Sequence, residues 1–81
     1  MKRQYFLVFA SDPITDVTDA DGYDSKAAAC RAFRFTAEEL AEYGQQVEAS
    51  LHIAKTAADV VEYPDYVLSL GPRGGLVCDR C

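Results

Sequence analysis

Residues 46–53 read QVEASLHI, and their alternation is the most regular pattern in the chain. Val47, Ala49, Leu51 and Ile53 fall on one parity, Glu48, Ser50 and His52 on the other. A period of two is that of a strand with one face against a core, which makes His52 a solvated side chain on the polar face. Such a strand needs partners, and the flanking text supplies them. Downstream, DYVLSL (65–70) reads as a strand, GPRG (71–74) as a four-residue turn and GLVCD (75–79) as the returning strand of a hairpin. Between these and residues 46–53, Thr56-Ala-Ala-Asp59 begins a capped helical turn that Pro64 ends.

Upstream, RQYFLVFA (3–10) is apolar on both parities, as in a central strand or one covered on both faces. Asp12 and Pro13 close it, since proline has no N–H for a ladder. Residues 11–24, SDPITDVTDADGYD, form a long acidic loop or a short edge hairpin anchored by Ile14 and Val17. Residues 25–44, SKAAACRAFRFTAEELAEYG, are helical by composition. Asp24 or Ser25 can cap the start, and Gly44 suits a left-handed C-terminal position. The stripe Cys30, Phe33, Ala37, Leu40 has helical spacing. Arg31 and Arg34 precede Glu38, Glu39 and Glu42, the reverse of what the helix dipole prefers, so the expectation is two helices, or one sharply kinked near Arg34–Thr36.

The fold class that follows is α+β: a single small domain over residues 1–81, an antiparallel sheet of three to five strands with helices packed on one face, and residues 78–81 as a mobile tail. The expected core is Phe6, Val8, Phe33, Leu40, Val47, Leu51, Ile53, Val67, Leu68 and Val77. A length of 81 residues allows one core, and 49% hydrophobic with 26% charged residues is the composition of a folded chain. The longest apolar stretch, residues 5–10, is too short to span a bilayer and short of the ~7 to 15 apolar residues inside a signal peptide, so it is read as the first strand. Three cysteines without such a signal point to a reducing, cytoplasmic setting rather than a disulfide framework.

Candidate chemistry is sparse. DADG (19–22) resembles the middle of a calcium loop, but that alignment puts Val17 at the first ligand position and Ala28 at the bidentate glutamate. Cys78 and Cys81 make one CxxC, which needs Cys30 and His52 to complete a four-ligand zinc site, or a second chain donating the same pair. A redox CxxC belongs at a helix start, and a prenylation signal would need aliphatic residues at Asp79 and Arg80. With one histidine and no nucleophile elbow, no catalytic triad is indicated, and no cofactor and no enzymatic activity are expected.

The formal net charge is −5, from 13 acidic against 8 dispersed basic residues, which disfavours direct nucleic-acid binding. A helix-turn-helix reading would present Glu38, Glu39 and Glu42 to phosphates. Asp12, Asp16, Asp19, Asp21 and Asp24 form one acidic group and these three glutamates a second. Arrays of this kind are usually solvated faces. The sharper reading is that they occupy the basic groove of a protein that normally holds nucleic acid, with the chain a monomer or weak dimer.

In its size, its acidity and the order of YFLVFA strand, SKAAACRAF helix, QVEASLHI strand and YVLSLGPRGGLV hairpin, the chain resembles the small phage-encoded anti-CRISPR proteins that inhibit type I effector complexes. The likeness is one of architecture and composition and covers most of the chain. It implies a non-enzymatic inhibitor, working in the host cytoplasm, that binds a subunit of a crRNA-guided surveillance complex and blocks target DNA. The alternatives from other classes are a small metal-binding or thiol-linked module built on Cys78 and Cys81, and a minor structural subunit.

Overall fold

A computed structural model describes residues 3–11, 14–71 and 74–80. The alternating segment is β3, Glu48–Ala54, the middle strand of a five-stranded antiparallel sheet. β1 (Gln4–Phe9) and β4 (Tyr66–Leu70) flank it, and β2 (Gly22–Tyr23) and β5 (Leu76–Arg80) are the edges. Leu7 faces Leu51 across one ladder and Leu68 faces Ala49 across the other, so the inward parity of all three strands coincides. Residues 11–24 combine both expected forms: two 3₁₀ turns, Ile14–Asp16 and Asp19–Asp21, lead into the short β2, which pairs with Tyr5 and Phe6. In the final hairpin Gly74 N–H donates to the Gly71 carbonyl at 2.9 Å, closing the turn expected at 71–74, and Gly74 takes φ +78°. Pro72 and Arg73 lie outside the described residues.

One helix, α1 (Lys26–Ala41), crosses one face of the sheet. Ser25 caps it, its hydroxyl accepting from Ala28 N–H at 3.1 Å. At the other end Gly44, with φ +76°, reverses the chain: its N–H reaches the Ala41 carbonyl at 3.0 Å and that of Gln45 reaches Leu40 at 3.1 Å, a Schellman arrangement. Ala29, Phe33 and Ala37 are fully or almost fully buried and pack with Leu7, Ala49, Leu51 and Leu68. Alanines bring the helix close to the sheet and Phe33 fills the remaining space, its ring 6.0 Å from that of Phe9.

The expected break near Arg34–Thr36 does not occur; α1 is continuous for 16 residues. The Arg34 guanidinium donates to the Glu38 carboxylate at 2.9 Å across that point. The physical reason is one of magnitude. Unfavourable dipole terms of about 0.3–1 kcal/mol per charge are outweighed by one uninterrupted apolar stripe, in which burial of Phe33 alone contributes about 2–3 kcal/mol.

The opposite face of the sheet is covered as well. Phe6, Val8, His52 and Ala54 have the other parity and are buried. Irregular chain runs beside them: Asp65 N–H donates to the Leu51 carbonyl and its carboxylate accepts from Ile53 N–H, each at 2.8 Å, which ties residues 55–65 back to β3. Several core expectations shift accordingly. Leu40, Val47, Ile53 and Val67 are half-buried, and Val77 is 38% exposed because it points away from α1 on an edge strand. Ala37 and Ala49 are buried, as their places on the helix stripe and on the core parity of residues 46–53 imply, and Leu7, Ala29 and Ala54 join them in the interior. Cys78 and Asp79, part of the strand expected at 75–79, and Arg80 after them are ladder residues of β5 opposite Leu68, Val67 and Tyr66, so the strand runs into the stretch also expected as a mobile tail. Among the described residues no helix is long and apolar enough to cross a membrane.

Candidate functional site

The acidic groups identified in the sequence occupy separate places. α1 has Asp24 two residues before its start and Glu38, Glu39 and Glu42 in or just after its last turn, so about 18–24 Å of helix lies between them. Glu38 is engaged by Arg34, while Glu39 and Glu42 are exposed with no basic residue in the last turn. Asp12 lies outside the described residues.

Asp16, Asp19 and Asp21 belong to the two 3₁₀ turns, held by Val17 N–H to the Ile14 carbonyl at 3.2 Å and Asp21 N–H to the Thr18 carbonyl at 3.0 Å. Asp21 has a structural task. Its carboxylate accepts from Thr18 N–H at 2.6 Å and from the Thr18 hydroxyl at 3.1 Å, fixing the second turn. Asp16, Asp19 and Asp24 are exposed, and the one ion pair among the described residues is Arg34–Glu38. Among the described residues these three carboxylates have no direct ion pair.

The turns do not stand alone. A cleft of about 700 Å³ separates them from the third 3₁₀ turn, Ala57–Asp59. Ile14, Val17, Ala57 and Val60 give it apolar walls, Thr15, Thr18 and Thr56 contribute hydroxyls, and Asp19 stands at its margin. Residues 55–65 also carry Asp59, Glu62 and Asp65, carboxylates the sequence reading passed over because it treated this stretch as a connecting turn. Asp59 accepts from the Thr56 hydroxyl at 3.0 Å and Asp65 is bound to Ile53 N–H, so Glu62 is the exposed addition. Lys55 interrupts the acidic character of this end. Exposed Val61 and Tyr63 lie on the same segment.

His52 is only 3% exposed, against the expectation of a solvated side chain. Its parity was read correctly; the face it points to is covered by residues 55–65, which strand alternation does not disclose. Nε2 lies 2.8 Å from the Ser50 hydroxyl, which also reaches the Val8 carbonyl at 3.4 Å. Burial pushes the imidazole below its ordinary pKa, more than the Val61 and Tyr63 carbonyls and the Asp65 carboxylate raise it. Nδ1 completes no hydrogen bond of good geometry among the described residues. Substrate has no access to so buried a ring, and the Ser50–His52 contact is a polar element of the core.

The same parity divides the ligands expected for zinc. Cys30 on α1 and Cys78 on β5 pack against the helix-side core, whereas His52 points to the opposite face. Cys81 lies outside the described residues, and among those described no three His, Cys, Asp or Glu side chains are placed to hold a metal ion.

No family model, curated protein or solved structure matches the chain.

Proposed function

We propose that this chain is a protein-binding inhibitor whose acidic end, formed by residues 14–24 and 55–65, enters a basic nucleic-acid-binding groove of its partner. The observation that supports this most directly is the set of exposed carboxylates at Asp16 and Asp19, on turns held by their own hydrogen bonds, and at Asp24 just before α1, none of them ion-paired among the described residues. Fixed charges facing solvent steer a basic partner and cost little ordering entropy on binding. The adjoining cleft, with its apolar walls and threonine hydroxyls, offers a place for a partner side chain. Glu39 and Glu42 add a second acidic contact on the far end of α1 for a partner wide enough to span the helix.

The resemblance in architecture to anti-CRISPR proteins gives this reading its partner: a subunit of a type I crRNA-guided complex in the host cytoplasm, blocked from target DNA. The test is inhibition of target-DNA binding by the purified complex. Wild-type chain should compete with DNA, and the triple variant Asp16→Lys, Asp19→Lys, Asp24→Lys should fold normally and inhibit at least tenfold less well. Asp21 is left intact because its carboxylate holds the turn. Equal potency of the triple variant would remove the acidic end from the mechanism, and inactivity of the wild-type chain would remove this partner.

A further inference from the structure

Cys30 and Cys78 are distant in sequence but pack against the same core cluster. Cys30 is one residue past Ala29 and three before Phe33, on the edge of the buried stripe of α1. Cys78 lies opposite Leu68 on β5, and both cysteines pack against the cluster that contains Ala29, Phe33 and Leu68. Both are free and half-buried, and Lys26, one turn before Cys30 on α1, sits over the Tyr66 ring of β4, the strand that pairs with Cys78. Each belongs to an element the other does not otherwise hold: β5 is an edge strand attached to the sheet through β4 alone.

We propose that Cys30 and Cys78 form a redox-responsive dithiol that closes to an intramolecular disulfide, stapling the edge strand β5 to α1. The oxidant is a low-molecular-weight disulfide of the glutathione class. The Cys78 sulfur, on the edge strand, attacks one sulfur of that reagent and expels one thiol, leaving a mixed disulfide. Cys30 then attacks the Cys78 sulfur and expels the second thiol. Two protein thiols are oxidised, the reagent is reduced to two thiols, and the two thiol protons leave with them.

The surroundings suit a pair that rests reduced and closes on demand. Burial and the neighbouring Cys78 push the Cys30 thiol above its ordinary pKa, while Lys26, one turn earlier on α1, opposes them. Lys26 is held at this place with its ammonium 4.3 Å from the Tyr66 ring centroid, so a positive charge stands ready beside the thiolate that the second exchange requires. This inference concerns the helix side of the sheet and is independent of the acidic end.

The experiment uses the full chain and its Cys81→Ser variant, which keeps only the two thiols in question. Each is equilibrated with excess oxidised glutathione, quenched by alkylation, and analysed by intact mass and non-reducing peptide mapping. The expected product is a monomer that has lost two hydrogens, with Cys30 and Cys78 in one linked peptide pair. Its thermal midpoint should rise by roughly 10 °C and return on reduction by dithiothreitol. In the Cys30→Ser, Cys81→Ser double variant the reaction should stop at glutathionylated Cys78. Persistent mixed disulfide in the Cys81→Ser chain, a linked dimer, a lower midpoint after closure, or Cys78–Cys81 as the main product in the wild-type chain would each overturn the proposal.

Discussion

His52 shows most plainly what one residue contributes. It is held neutral in the folded chain because burial lowers its pKa. As pH falls, the unfolded chain takes up the proton first, near pH ~6.5, so the folded state has its full stability above that value and loses it as pH falls towards the lower folded value. The urea midpoint should therefore drop between about pH 7.5 and 5.5, and His52→Gln should flatten most of that slope; an undiminished slope in the variant would assign it to other groups. Gly22 is a second sensitive position. A Cβ there would meet the Gln4 side-chain oxygen and lie 3.0 Å from Phe6 Cε1. Gln4 can swing aside but the fully buried Phe6 ring cannot, so Gly22→Val should cost about 1–3 kcal/mol in denaturant unfolding. The parity of His52 was legible in QVEASLHI, whereas its burial depends on chain ten residues further on, and no local pattern announces that covering.

At the scale of elements, α1 is where local rules and packing disagree. The macrodipole argues for a break that the apolar stripe overrides, and amide exchange should show unbroken protection through Arg34–Ala37. Arg34→Ala should cost no more than about 0.5 kcal/mol, since the ion pair is exposed on both sides, and Ala37→Leu about 1–3 kcal/mol, since it forces α1 off the sheet. Equal costs for the two would show that the ion pair rather than the packing keeps the helix whole. Strands β1, β3, β4 and β5 were readable because alternation and turn residues are local signals. β2 was not fixed by them, as two residues carry no period, and it exists through its pairing with Tyr5 and Phe6. The cysteine pair was hidden for the same reason: CxxC spacing draws attention to Cys78 and Cys81, while Cys78 and Cys30 come to the same core cluster only once α1 has packed on the sheet.

For the whole molecule, the two acidic groups of the sequence stay apart, one on the 3₁₀ turns and the approach to α1 and the other at the end of α1, and the cleft between residues 14–19 and 56–60 exists only in three dimensions. Binding through such an end should be fast and sensitive to ionic strength: raising salt from about 50 to 500 mM should lower the association rate at least tenfold while changing dissociation much less. A salt-independent rate would point to the apolar cleft as the dominant contact. The strand order has a consequence for the way the chain acquires its structure. β3, β4 and β5 are successive in sequence and in the sheet, whereas β1 must find β3 from the far side of α1, a closure across 42 residues at Val8 and Ser50. Loop-closure entropy makes the β3–β4–β5 meander with α1 the natural folding nucleus and β1 the late arrival. In chevron kinetics Leu68→Ala should chiefly slow refolding and Val8→Ala chiefly speed unfolding, so the strand that opens the sequence would be the last to dock and the first to let go.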